Sequence, residues 1–112
     1  MTEIIFPFDT QKLFVKCVKN QIFPRNDFKK RVVLIKIAKK FKFNKIYSEQ
    51  QVNTTIKQYF KDFALIRREL VNFGYMSRDP IKGEFRLLKQ TLTKEEIERN
   101  TLLKRHAKAF LQ

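Results

Sequence analysis

The chain has 112 residues, with 25 Lys and Arg against 11 Asp and Glu, a formal charge of +14 and a pI near 10.2. Its 43% apolar content, with Gly 2 and Pro 3, suits one folded domain and argues against disorder. Cys17 is the only cysteine and His106 the only histidine, which excludes an intrachain disulfide and a soft-ligand metal site.

The opening MTEIIFPFDT has no signal-peptide pattern, and no apolar run approaches the roughly 18 residues a membrane span needs. A cytoplasmic location is therefore expected. Asp9 or Thr10 can cap a first helix over about 11–20, with Leu13, Phe14, Cys17 and Val18 inward and Lys12, Lys16 and Lys19 outward. Among those neighbours Cys17 reads as a buried thiol. Pro24 breaks the pattern and biases Phe23 to an extended shape. A second helix opens at Asp27, turns Phe28, Val32, Ile35 and Leu34 inward, and ends near Phe43, with Asn44 as a stop.

Ser48 and Gln51 form a capping box for a third helix beginning at Glu49, with Val52, Ile56 and Tyr59 or Phe60 inward. No Gly or Pro separates it from the next periodic segment. Local rules therefore allow either one long helix or a fresh start at Asp62. A fourth helix over about 63–73 stops at Gly74. Residues 75–78 and 84–88 read as two short strands around the turn Asp79-Pro80-Ile81-Lys82-Gly83. A second capping box, Thr93 with Glu96, starts a last amphipathic helix over about 94–111 with Ile97, Leu102 or Leu103, and Phe110 on its apolar face.

Three helices followed by a β-hairpin is the order of a winged helix-turn-helix, here with an extra N-terminal helix and a C-terminal helix. The fold class is mainly α with a small β-hairpin. Residues 1–90 are expected to form the winged domain, with 91–112 as a C-terminal helix of the same domain or a dimerising element. In that architecture the last helix before the hairpin enters the major groove and the hairpin meets the flanking backbone. At about 100° per residue, Phe63, Ile66, Leu70 and Phe73 fall on one stripe of the fourth helix. Lys61, Ala64, Leu65, Arg68 and Asn72 lie opposite, with Arg67 at the edge.

Arg can bond bidentately to guanine and Asn to adenine, so Arg68 and Asn72 have the chemistry of base reading. Lys61 and Arg67 suit phosphates, and Arg78, Lys82 and Arg86 lie on or beside the wing. Residues 12–45 carry twelve cations against Asp27 alone, Lys29, Lys30 and Arg31 among them. Such a field drives counterion release from nucleic acid. Lys40-Phe41-Lys42-Phe43 interleaves cations with aromatics, which in an exposed strand would stack single-stranded bases and otherwise supplies core. His106, without a carboxylate or nucleophile partner, reads as a surface residue. With no phosphate loop, paired carboxylates or metal motif, the chain reads as no enzyme and carries no cofactor motif.

Tyr47-Ser48-Glu49-Gln50-Gln51-Val52-Asn53, followed by Asp62-Phe63-Ala64-Leu65-Ile66-Arg67-Arg68-Glu69-Leu70-Val71, resembles the prokaryotic domain-of-unknown-function family 2087, often attached to helix-turn-helix regulators. The corner Asn72-Phe73-Gly74-Tyr75-Met76, Arg78 and the upstream Phe23-Pro24-Arg25 extend the likeness over roughly residues 11–88. Gln51 stands where the family has an acid, and Glu84-Phe85-Arg86 lacks its aromatic pair. The resemblance implies a winged helix and a break near Asp62. The shared Glu49, Arg67, Arg68 and Glu69 have a second reading, an ion-pair network fixing the helices.

Duplex DNA is thus the expected partner, in a regulatory or accessory role, and residues 93–111 are the element through which a homodimer would form. RNA or ribosome association, and docking of an acidic protein partner, are the two rival functions.

Overall fold

In the computed structural model residues 2–110 are described, and they contain six helices and three strands. The chain divides into two units, which differ from the expected 1–90 and 91–112. One unit comprises the described residues through Val33 and those from Thr91 onward, and the other is Leu34–Gln90.

In the first unit residues 2–4 pair with residues 92–94. Ile4 N donates to Leu92 O at 2.9 Å and Lys94 N to Thr2 O at 2.8 Å, around a bridge between Glu3 and Thr93. This pairing is why residues 91–110 belong with the N-terminal segment. Helix α1, Thr10–Asn20, is capped by Asp9, whose carboxylate accepts from Lys12 N, and it buries Phe14 and Cys17. Helix α2, Asp27–Ala38, starts here and ends in the second unit. It opens at Asp27 as expected, and Asn26 caps it, because Asn26 Oδ1 accepts from Phe28 N and Lys29 N at 2.9 and 3.1 Å. Buried residues on almost every side of α2 mark it as a core helix.

The single helix expected over 94–111 is two, α5 at Lys94–Arg99 and α6 at Thr101–Lys108. Asn100 ends the first in extended geometry and caps the second, accepting from Leu103 N at 3.0 Å. Leu111 lies outside the described residues. Ile97, Leu103 and Ala107 are buried, and Phe110 packs on Phe8 and Phe28 at 5.4 and 5.9 Å between centroids. The apolar face expected to dimerise is thus largely occupied within the unit, with Leu102 left exposed. His106 is not a free surface residue. It is half-buried, and its Nδ1 accepts from Asp27 N at 2.7 Å, tying α6 to the start of α2.

In the second unit α2 stops at Ala38, five residues before the expected end, and the chain leaves it through tight turns closed by Lys40 N to Ile37 O and Phe41 N to Ala38 O. Asn44 follows with φ 60. Residues 46–48 then form a strand that alternation over three residues could not announce. The elements that follow are β1 Ile46–Ser48, α3 Glu49–Lys57, α4 Phe63–Asn72, β2 Met76–Asp79 and β3 Glu84–Leu87. Both members of the Ser48–Gln51 capping box are formed.

The strands make an antiparallel sheet in the order β1-β3-β2. Its register places Tyr47 opposite Phe85 and Phe85 opposite Arg78, with Ile46, Arg86 and Ser77 in the next row. Because side chains alternate faces, Tyr47, Phe85, Leu87, Met76 and Arg78 share one side of the sheet. The first four of these are buried, so this side faces the core. Gly74, at φ 79, turns the chain from α4 into the sheet, with Tyr75 N bonded to Leu70 O at 2.8 Å. No helix among the described residues is long and apolar enough to cross a membrane.

Candidate nucleic-acid interface

The helices α3 and α4 are separate. Residues 58–62 turn the chain, and the Asp62 carboxylate caps α4 by accepting from Leu65 N at 3.2 Å. Ile66 and Leu70 are the buried anchors of α4, flanked by half-buried Phe63 and Phe73. The opposite face has Arg68 and Asn72 exposed, Leu65 half-buried and Lys61 exposed just before the helix. Arg68 makes no hydrogen bond or ion pair among the described residues. Asn72 Nδ2 donates to Glu69 Oε1 at 3.0 Å, and its carbonyl oxygen makes no hydrogen bond among the described residues.

Arg67 has a different role. Its Nη1 donates to Asn53 Oδ1 at 2.6 Å, and its Nε lies 4.0 Å from Glu49 Oε1, with 20% of the side chain exposed. The same Glu49 oxygen lies 3.8 Å from Arg78 Nη2. Glu49 therefore joins α3 to both α4 and the hairpin, and the network reading of the motif holds for Glu49 and Arg67 but not for Arg68. Glu49, Arg67, Arg68, Asn72 and Arg78, with Val71 and Phe85, line a groove of about 310 Å³ between α4 and the sheet.

Arg78 and Arg86 occupy opposite faces of the sheet. Arg78 leans over the Phe85 ring at 6.0 Å and enters the groove with Arg67 and Arg68. Arg86 stands on the outer face beside Ile46 and Ser77. Lys82 is exposed in the turn, whose shape is set by Asp79. The Asp79 carboxylate accepts from Ile81 N and Lys82 N at 2.9 and 3.1 Å, and Gly83 closes the turn at φ 67.

The remaining expected site residues, Lys29, Lys30 and Arg31, lie in the other unit. Arg31 is 6% exposed, so it cannot offer its guanidinium to a polyanion. Its place on a helix buried all round explains the error. Lys30 pairs with Asp27 at 3.6 Å, and Lys29 sits 5.5 Å from the centre of the Phe110 ring. The stretch 40–43 is not a strand. Phe41 is core, edge-on to Tyr47 at 5.0 Å, while Phe43 is half-exposed, so no stacking ladder forms there. Periodicity alone does not mark Val71 and Phe85 as groove residues, nor Asn53 as the partner of Arg67. Strand alternation across the Asp79–Gly83 turn held the signal for Phe85 beside Arg78.

A family model for uncharacterised proteins conserved in bacteria, DUF2087, matches residues 21–87, more than half of the chain. The chain belongs to that family. Glu49, Arg67, Arg68 and Arg78 all fall inside the matched stretch. Helices α1, α5 and α6 fall outside it. Neither the curated proteins nor the solved structures include a match to this chain.

Proposed function

We propose that this DUF2087 chain carries a winged helix-turn-helix that binds duplex DNA in a regulatory role, inserting α4 into the major groove. Supporting the fold reading is the element order from α2 through β3 with the sheet order β1-β3-β2, the arrangement in which a strand after the first helix closes a hairpin wing. The observation that carries the function is the exposed face of α4. Arg68 and Asn72 stand there one turn apart, the first without a hydrogen bond or ion pair among the described residues, opposite an apolar anchor of Ile66 and Leu70.

Arg68 and Asn72 are the base-reading pair in this reading, with Lys61 and Leu65 at the groove edge. Lys82 and Arg86 touch the flanking backbone from the hairpin. Buried Arg31 makes no phosphate contact, and exposed Lys39, Lys42 and Lys45 take that role in the second unit. Arg67 positions the helix and does not read bases. Amide shift mapping with a duplex of random sequence tests the placement. The largest changes are expected over Lys61–Asn72 and Asp79–Arg86. Changes confined to residues outside 34–90 would refute it.

A further inference from the structure

We propose that the cleft between α1 and the Phe110 end of the first unit binds a small amphipathic anion, a carboxylate or sulfonate head on an aliphatic or aromatic body. The cleft measures about 660 Å³, within the usual range of roughly 300–1,000 Å³ for small-ligand sites. Its walls are Phe8, Leu13 and Phe110, and its rim carries Lys12, Lys16 and Lys29. The two aromatic rings meet edge-on, 5.4 Å apart at 71°. An apolar floor with a few convergent charges is the composition that holds and orients a small molecule.

The charges are available. Lys12 and Lys16 sit one turn apart on one face of α1, both line the cleft, and neither makes an ion pair among the described residues. Lys29 reaches the cleft from α2 and lies 5.5 Å from the Phe110 ring centre. Asp9 is the one acid in the lining, and its carboxylate is engaged in capping α1 through Lys12 N at 3.0 Å. Lys16 and Lys29 act on one neighbourhood. Burial pushes the Cys17 thiol up from its ordinary pKa, and these two ammoniums pull against that rise. Three cations over an aromatic floor favour an anion with a hydrophobic body over a bare phosphate, which would leave the rings without a partner, and over a cation, which the lysines repel.

This site is independent of the DNA reading, since none of its residues lies in 34–90. Calorimetric titration of the full chain with decanoate, kept below its micelle concentration, tests it. One site per chain is expected, with acetate at least about tenfold weaker and decyltrimethylammonium giving no saturable heat. Lys12→Gln with Lys16→Gln should weaken decanoate by at least about tenfold, with an unchanged circular-dichroism spectrum, whereas Arg68→Ala should leave it intact. Equal binding of the cationic amphiphile, or full retention in the double variant, overturns the proposal. So does binding seen only with phosphatidylglycerol vesicles, which would assign the lysines to a lipid surface instead.

Discussion

Neighbouring arginines on α4 meet opposite surroundings. Arg67 is held by Asn53 and Glu49, while Arg68 extends into solvent from the next position. Arg68→Ala should therefore weaken binding to a preferred duplex site by about 1–3 kcal/mol and spare random DNA, as competition anisotropy would report. Equal loss on both would make it a backbone contact. Glu49→Gln should do the reverse to non-specific binding. It removes the negative charge within 4.0 Å of two guanidiniums, so random-duplex affinity should rise and the salt slope steepen by up to about one unit. Stability should change by less than about 1 kcal/mol, because pairs this exposed are worth little. At this scale the sequence distinguished the apolar from the polar side of α4 by periodicity. It could not separate Arg67 from Arg68, since that depends on Asn53 and Glu49 arriving from another helix.

Among elements, local signals succeeded where a cap or a special φ dictates the outcome. Both capping boxes formed, and Gly74 ends α4 at φ 79. A Cβ there would meet only Lys89 Cε at 3.9 Å, so Gly74→Ala isolates the backbone term. It should destabilise the protein by about 1–2 kcal/mol in denaturant unfolding, and a neutral result would show that the corner relaxes without strain. Signals failed where tertiary pairing decides. Strand β1 has three residues and exists because β3 offers a free edge, and α2 ends at Ala38 because the chain must turn to reach that edge. The break at Asn100 followed a rule already in view, a side chain able to cap, but helical periodicity through Ile97 and Leu103 masked it. The register that sends Arg78 and Arg86 to opposite faces was legible in principle from the turn, given the Arg78–Phe85 pairing.

For the whole molecule, the charge of +14 is the property composition conveyed best, and its distribution the property it conveyed least. The dense cationic stretch 12–45 is divided between the two units. Arg31 is buried within it, Lys30 is paired, and Lys12, Lys16 and Lys29 line an apolar cleft. Within the second unit the stretch leaves half-buried Lys36 and exposed Lys39, Lys40, Lys42 and Lys45 alongside Lys61, Arg68, Lys82 and Arg86. A salt titration of binding to random duplex DNA, duplex RNA and single strands puts the central claim to the most direct test. The account predicts that duplex DNA binds tightest, with a log–log slope of several units from released counterions. Tighter binding to A-form RNA, or weak binding with a shallow slope on every nucleic acid, would contradict it.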